Sequence, residues 1–338
     1  MSKMASTLGQ GGPTSEDFLK ARAFIERNYL RTLLYPSALL SREHGCEVFV
    51  KYENHGPVRS FKARGALYRL SLLSADERQR GVVAASTGNH GQGIAYAGRV
   101  LSIPTAIVVP QDAPRIKTDN IRFLGSELVM SGQLLSDSEH EARSISRRTG
   151  KILIEDGEDA GLMAGAGSIA WEILDQLPNA SAIIVPVGGG NLIAATAFVA
   201  KMLRPDIRII GVQSEAAPSV YESWRQGAVK TEPCTTFAGG LATSHPGTLA
   251  FGVLQNLVDS IMLVSEEELR NGIITALWST GQLTEGAGAA SFAALPKVAS
   301  TLRGLKVVLL LTGGNLAPED LSELLRSTGL GTKSAPSR

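Results

Sequence analysis

Seven short runs of apolar, largely β-branched residues alternate with helical patterns along this chain, and this alternation constrains the fold most. The runs lie at 48–52, 81–85, 105–109, 127–130, 182–186, 207–212 and 307–311. Helical patterns lie at 93–100, 138–148, 168–176 and 192–202. Several runs are apolar on both faces, as expected for strands that helices cover on each side of a parallel sheet. The alternation therefore predicts an α/β architecture with crossover connections.

Composition excludes several classes of protein. The chain has 338 residues, enough for one large core or two lobes, and a formal net charge of +1. That charge gives no reason to expect nucleic acid or an anionic membrane as partner. No apolar run approaches the ~18–20 residues that span a bilayer. The first residues lack the apolar core of a secretory signal, so we expect a cytoplasmic location.

Three glycine-rich segments each follow a predicted strand. They read Ser-Thr-Gly-Asn-His at 86–90, Val-Gly-Gly-Gly-Asn-Leu at 187–192 and Leu-Thr-Gly-Gly-Asn at 311–315. Ligands of parallel sheets bind at the carboxyl ends of strands, where loops lead into helix N-termini. A single glycine loop is as often structural as functional, but three loops in this position indicate one shared site.

A lysine, Lys62, lies in the stretch Ser-Phe-Lys-Ala-Arg-Gly-Ala at 60–66. A lysine amine and a glycine loop are the two parts that hold pyridoxal phosphate (PLP) covalently. The aldehyde condenses with the amine, and the phosphate accepts hydrogen bonds from backbone N–H groups. A solvated surface lysine is the alternative, but the adjacent Phe61 argues against it. We therefore predict PLP as the cofactor.

The segments together resemble the fold-type II PLP enzymes, specifically the threonine/serine dehydratase and serine racemase family. The resemblance runs from about residue 18 to about residue 321 and includes Thr-Glu-Gly-Ala-Gly-Ala at 284–289. It implies the tryptophan synthase β-like fold, with two open, mostly parallel twisted sheets flanked by helices. The family's usual assembly is a homodimer or homotetramer.

The resemblance also implies a division into domains. A large PLP-binding domain would comprise 16–71 and 156–328, and a small mobile domain would comprise 72–155. Residues 1–15 and 329–338 are expected to be flexible tails. No regulatory domain is expected after residue 325, which favours the short, catabolic type of dehydratase.

Roles at the cofactor follow from the resemblance, position by position. Lys62 would be the Schiff-base lysine and the acid/base at Cα, and Phe61 would pack against the pyridine ring. Asn89 would hydrogen-bond the ring O3′. Thr312 would face the pyridine nitrogen, where a hydroxyl cannot keep that nitrogen protonated, and Gly313 would keep the backbone close to the ring.

The phosphate would be held by main-chain N–H groups of the second glycine segment. The residues expected there are Gly188, Gly189, Gly190, Asn191 and Leu192. The family usually has a fourth glycine at the position of Asn191, and asparagine tolerates left-handed backbone geometry better than other non-glycine residues. Glu285 is expected near the cofactor, with a helix-capping or structural carboxylate as the alternative.

The substrate would lie against the loop that follows the 81–85 strand. The residues expected to bind it are Ser86, Thr87, Gly88, Asn89, His90 and Gly239. By position, the loops 155–159 and 238–241 would line the side-chain pocket. Thr87 is also a candidate catalytic residue, because serine racemases have a serine hydroxyl on the face opposite the lysine.

Two further departures from the family matter. Serine racemases hold a divalent cation with a Glu and an Asp, but this chain has Gln213 and Ser219 at those positions, so we expect no such metal site. Val58 and Arg59 stand where the family has Thr-Gly before Ser-Phe-Lys, and Arg59 is the second departure. It could contact phosphate or an acidic substrate, or be a solvated surface residue.

The expected activity is β-elimination of water from a 3-hydroxy amino acid, giving a 2-oxo acid and ammonia. Threonine and serine are the default substrates, and a bulkier one such as phenylserine is an option. Racemisation of serine and β-replacement are enzyme alternatives on the same scaffold. A catalytically inactive binding protein is another alternative.

A dinucleotide-binding protein is an alternative from a different class. Gly-Ala-Gly-Ser-Ile-Ala at 165–170 loosely imitates the dinucleotide fingerprint. The strand expected at 151–155 ends about ten residues too early, and no acidic strand end follows about 20 residues on.

Overall fold

The computed structural model describes residues 12–86, 88–113 and 115–327. The predictions for Thr87 and for most of both tails lie outside these residues. Thr14, in the segment predicted as a tail, caps the first helix together with Asp17.

Ten strands are present in the described residues. They are β1 (Leu34–Pro36), β2 (Glu47–Tyr52), β3 (Val82–Ala85), β4 (Thr105–Val109), β5 (Glu127–Met130), β6 (Ile152–Leu153), β7 (Ala182–Pro186), β8 (Arg208–Ser214), β9 (Ser260–Val264) and β10 (Lys306–Leu311).

The helices are, in chain order, α1 (Ser15–Asn28), α2 (Ala38–His44), α3 (Lys62–Ser71), α4 (Ala75–Arg80), α5 (Asn89–Leu101), α6 (Arg115–Phe123), α7 (Leu135–Thr149), α8 (Ala160–Ala166), α9 (Ser168–Gln176), α10 (Asn191–Leu203), α11 (Ser219–Gln226), α12 (Thr248–Leu257), α13 (Glu266–Thr280), α14 (Gly286–Val298) and α15 (Pro318–Ser327).

The strands form two sheets. The larger has the order β1-β2-β10-β7-β8-β9, and only β1 runs antiparallel to its neighbour. The smaller has the order β5-β4-β3-β6 and is parallel throughout. The predicted α/β fold with two mostly parallel sheets is confirmed, and all seven predicted runs are strands.

The two sheets use separate parts of the chain. All four strands of the smaller sheet lie within 72–155, and all six of the larger lie outside that range. The division into a large domain and a small mobile domain stays a prediction. Across the described residues, no helix combines the length and apolar character that a membrane crossing requires.

The dinucleotide alternative fails on local structure. Gly165 lies in α8, and Gly167 is the residue between α8 and α9 with right-handed helical angles. A Cβ at Gly165 would come within 2.8 Å of the Arg64 carbonyl oxygen. Gly165 therefore lets α8 pack closely on α3, whereas Gly167 leaves space for the Phe18 ring. Neither glycine lies in a loop after a strand.

A buried group of four charged side chains connects β2, α3 and α9. Arg64 Nε donates to Glu53 Oε2 (2.7 Å), and Arg64 Nη1 donates to Glu172 Oε1 (2.6 Å). Lys51 Nζ donates to Glu172 Oε2 at 2.6 Å. All four side chains are 7% exposed or less. We call Lys51, Glu53, Arg64 and Glu172 the buried ion cluster.

The buried ion cluster is electrically balanced, with two cations and two anions. Burial alone would lower the pKa of the Arg64 guanidinium, but the Glu53 and Glu172 carboxylates raise it above its ordinary value. Arg64 lies in the first turn of α3, which begins at Lys62. The cluster therefore holds the start of α3 in place.

Replacing Arg64 by methionine should lower the free energy of unfolding by about 3–5 kcal/mol, because two buried carboxylates lose their shared cation. Urea denaturation followed by circular dichroism measures the change. Arg225→Gln breaks an exposed pair with Glu222 and should cost no more than about 1 kcal/mol. Similar losses in the two variants would contradict a structural role for the cluster.

Candidate active site

The site lies where the two sheets face each other across α3 and α5, which pack together. The loops after β3, β7 and β10 carry the three glycine segments of the sequence. A small pocket opens there, and its lining includes Phe61, Lys62, His90, Asp156 and Asn191.

Lys62 is positioned through its backbone. Phe61 N–H donates to the Thr312 carbonyl oxygen (3.2 Å), and Ser60 forms an isolated antiparallel bridge with Gly313. On the other side, a Cβ at Gly93 in α5 would come within 2.9 Å of the Lys62 carbonyl oxygen. The Lys62 ammonium lies 5.0 Å from the centre of the Phe61 ring. The predicted pair Phe61–Lys62 therefore faces the pocket.

Asp156 forms an ion pair with the Lys62 ammonium. Its other oxygen, Oδ1, accepts from Asn191 Nδ2 at 3.5 Å. Burial alone would raise the pKa of the Asp156 carboxyl, but the Lys62 ammonium, His90 and the two hydrogen bonds lower it to about 2. The sequence indicated Asp156 only as part of an acidic loop, because its partner is 94 residues away.

The second glycine segment forms a cradle at the start of α10. A Cβ at Gly188 would lie 2.5 Å from the Gly240 carbonyl oxygen, so this position admits only glycine without movement. Gly190 precedes α10 with φ +98°, and no side chain caps the helix. The uncapped N–H groups at such a helix start are suited to an anion.

Asn191 needs no special backbone tolerance, contrary to the expectation from sequence. The left-handed residue is Gly190, and Asn191 is the first residue of α10. The Asn191 Oδ1 atom is buried and has no hydrogen-bond partner among the described residues. Leu192 follows it in α10 and is buried.

Asn89, Glu285 and Gly313 meet, although they come from three segments. Asn89 Nδ2 donates to Glu285 Oε1, and Asn315 Nδ2 donates to Asn89 Oδ1 at 2.8 Å. A Cβ at Gly313 would lie 2.2 Å from Glu285 Oε1. Burial raises the pKa of the Glu285 carboxyl, and Lys117 is the largest opposing influence.

Glu285 precedes α14 as its N-cap residue, but its side chain makes no capping hydrogen bond. The capping alternative is therefore not realised by the carboxylate, which binds Asn89 instead. Thr312 is buried nearby, with its hydroxyl 3.5 Å from the Ala287 carbonyl oxygen.

His90 lies in the first turn of α5 and lines the pocket. Its Nε2 atom is buried and lacks a hydrogen-bond partner within the described part of the chain. Burial lowers the pKa of the imidazole, although Asp156 and a backbone hydrogen bond with Ile154 act in the opposite direction. Ser86, before it, is buried, and its hydroxyl accepts from Gly88 N–H at 3.1 Å.

Lys117 was missed by sequence reasoning. It lies in α6, and its ammonium would be 3.4 Å from a Cβ at Gly88 and 3.8 Å from a Cβ at Gly239. Both glycines were predicted to bind substrate. Nothing in the sequence near Lys117 marks it, since its neighbours come from segments about 30 and 120 residues away.

Three further residues differ from the family's usual pattern, namely Arg59, Gln213 and Ser219. Arg59 is exposed and has φ +53°. Gln213 Oε1 accepts from Tyr221 N–H (2.9 Å), and the Ser219 hydroxyl donates to the Thr243 carbonyl oxygen (2.8 Å). Both residues thus have internal hydrogen bonds. The expected lack of a divalent-cation site stays a prediction.

A family model described as pyridoxal-phosphate dependent enzyme matches residues 25–313, most of the chain. The chain belongs to this family. Pyridoxal phosphate is therefore its cofactor, and the fold is PLP fold type II.

Relatives from several bacteria are similar over nearly the whole chain. An L-threonine ammonia-lyase of Thermotoga maritima is 38% identical, covering 90% of this chain and 76% of that protein. The catabolic L-threonine dehydratase of Escherichia coli K12 is 37% identical, covering 93% and 95%. An L-threo-3-hydroxyaspartate ammonia-lyase of a Pseudomonas species is 34% identical, covering 92% and 98%.

Solved structures with the same fold are similar over nearly the whole chain. A processed threonine deaminase isoform 2 from Solanum lycopersicum superposes with a TM-score of 0.87 at 31% identity, covering 95% of this chain and 96% of that one. Maize serine racemase superposes with a TM-score of 0.89 at 27% identity, covering 94% and 98%.

The residues present fit the cofactor. Lys62 presents an amine to the pocket, and the start of α10 presents uncapped backbone donors that follow three consecutive glycines. The buried, unpartnered Asn191 Oδ1 and His90 Nε2 atoms indicate polar surface that another group can satisfy.

Replacing Gly190 by alanine should weaken PLP binding, because its Cβ would lie 2.8 Å from Leu254 and φ is positive. The backbone strain alone should cost about 1–3 kcal/mol of stability. Gly304→Ala is the matched control, since Gly304 also has positive φ (+72°) but has open space around it. Cofactor titration should show weaker binding in the first variant only. Equal PLP affinity would contradict the cradle.

His90 should make stability fall as the solution is acidified. The unfolded chain protonates this imidazole near its ordinary pKa of about 6.5, whereas the folded protein keeps it neutral to lower pH. The unfolded state therefore binds more protons from about pH 7.5 downwards, over the interval between its own pKa and the lower pKa of the folded protein. Urea unfolding of His90→Gln should show a smaller loss over that interval than the wild-type protein. His245→Gln, at an exposed position, should not differ from wild type.

Proposed function

We propose that the protein is a PLP-dependent ammonia-lyase that converts a 3-hydroxy amino acid into a 2-oxo acid and ammonia by β-elimination. The observation that carries the proposal is the Lys62 amine, which faces a pocket between the α10 cradle and the Asn89 loop. Relatives named as ammonia-lyases of threonine and of 3-hydroxyaspartate support this reaction type.

Bound PLP supplies an electron-withdrawing ring that stabilises negative charge at the substrate Cα. Lys62 serves as the base that takes the Cα proton on Nζ, a positioned proton transfer worth roughly 10²–10⁴-fold. The Cβ–O bond then breaks, and the leaving oxygen departs as water after gaining a proton. The released enamine tautomerises and adds water, which expels ammonia and leaves the 2-oxo acid.

The other residues of the site would hold the cofactor and orient its ring and the Lys62 amine. The N–H groups of the Gly188–Gly190 cradle and α10 would bind the phosphate, and Asn89, fixed by Glu285 and Asn315, would orient the ring. Thr312 would supply a neutral hydroxyl to the ring. Asp156 stays anionic beside Lys62 and orients its amine towards the pocket.

Substrate selection is proposed to favour threonine and serine, with room for a bulkier side chain. Gly157, Gly239 and Gly240 are small residues in the two loops assigned to the side-chain pocket. One methylene in such a pocket changes discrimination by only about 1–3 kcal/mol, so pocket size selects weakly among these substrates.

The location and assembly are also proposals. We propose a cytoplasmic homodimer or homotetramer. Support comes from large apolar side chains that expose more than half of their surface in the single chain, including Leu30 (88%), Tyr35 (56%) and Trp278 (69%). Covering such side chains with another subunit would remove apolar surface from water, which favours association.

Replacing Lys62 by alanine should abolish both turnover and the visible absorbance of the lysine–cofactor linkage. The physical reason is that Lys62 is the one lysine among the described residues that line this pocket. Absorbance spectroscopy after PLP addition measures the linkage. Lys20→Ala, at an exposed site paired with Glu16, is the control and should keep both properties. A Lys62→Ala protein with the wild-type absorbance band would refute the assignment.

A substrate panel tests the reaction itself. Threonine, serine, phenylserine and 3-hydroxyaspartate should be assayed for 2-oxo acid and for the D-enantiomer. We expect 2-oxo acid as the main product from at least one of them. D-enantiomer without 2-oxo acid would instead support the racemase alternative.

A further inference from the structure

Lys117 extends from α6 into the space between two segments assigned to substrate. Its ammonium lies close to Gly88, in the loop after β3, and to Gly239, in the loop before α12. The first loop follows a strand of the smaller sheet, and the second lies between two strands of the larger sheet, β8 and β9. A molecule lying between Gly88 and Gly239 would therefore contact this ammonium.

No ion pair involving Lys117 occurs among the described residues. In α6 itself, the Asp119 carboxylate pairs with Arg122 and not with Lys117. Arg115 is another cation in the same helix. Glu285 is near enough to feel the charge, but it accepts from Asn89. A half-buried ammonium that has no ion-pair partner at contact distance among the described residues is poised to bind an anion.

The charges of the cleft indicate which anion fits. Lys62 and Asp156 balance each other, and the phosphate has the backbone cradle. When an amino acid joins the cofactor through its amine, its carboxylate remains as an uncompensated negative charge. Lys117 is the cation near the substrate loops that can compensate it.

We propose that Lys117 binds a carboxylate of the amino-acid substrate between Gly88 and Gly239. This assignment rests on the proposed function, because it takes an amino acid as the ligand. The carboxylate has two sources: the α-carboxylate that every amino acid carries, or a second carboxylate in an acidic side chain. The ammonium binds either group through charge-assisted hydrogen bonds.

Binding of malonate, a simple dicarboxylate, to the PLP-loaded protein tests the assignment without turnover. Isothermal titration calorimetry should show at least roughly tenfold weaker binding to Lys117→Met, which keeps an unbranched side chain of similar length but lacks the charge. Lys117→Arg should recover part of the affinity. Arg122→Gln, in the same helix, should bind like wild type.

Turnover then distinguishes the two sources. If Lys117 binds the α-carboxylate, Lys117→Met should lower kcat/KM for L-threonine and for L-threo-3-hydroxyaspartate by similar factors. If it binds a side-chain carboxylate, only the second substrate should be affected. Either pattern, with the PLP absorbance unchanged, supports the proposal.

Three results would overturn the assignment: no malonate binding to the wild-type protein, equal affinity in wild type and Lys117→Met, or no recovery in Lys117→Arg. The proposed function can be refuted independently of the Lys117 assignment. A wild-type protein that binds malonate through Lys117 but converts no 3-hydroxy amino acid would refute the lyase activity and leave the carboxylate site assigned.

Discussion

The buried ion cluster is the interaction on which the site depends, because Arg64 and the Lys62 backbone share the first turn of α3. Arg64 ties that turn to Glu53 after β2 and to Glu172 in α9. Removing these charges from water is costly, so the cluster is favourable only while every partner stays in place. The position of Lys62 therefore depends on how several segments of the core pack together.

Close backbone approach is the second constraint. Gly65 and Gly165 let α3 and α8 meet, and Gly93 lets α5 rest on the Lys62 carbonyl group. A Cβ at any of the three would lie within 3 Å of a backbone atom. The amine thus projects from a tightly packed helix junction into a cleft whose charges belong to several segments. Lys62 and Asp156 form a neutral pair on one side, and Lys117 brings a single positive charge on the other.

The pattern of apolar residues along the sequence predicted a strand well where every residue of that strand is buried. The runs 105–109 and 182–186 coincide with β4 and β7, which are buried at every position. The strands β1 and β9 were not predicted. β1 has only three residues, ends in a proline and pairs on one edge, and β9 is half-buried at the end of the sheet. Edge strands carry a weaker apolar signal because fewer of their residues face the core.

The sequence alone determined the architecture, the cofactor and the identity of Lys62, because strand periodicity and glycine segments are local properties of a chain. It also brought Asn89, Glu285 and Gly313 forward as cofactor residues, and they do meet. Only the tertiary structure decided that Asp156 pairs with Lys62, that Gly190 and not Asn191 carries the left-handed turn, and that Lys117 reaches the substrate loops. Contacts between residues so far apart along the chain follow from how helices and sheets pack, and no local pattern encodes them.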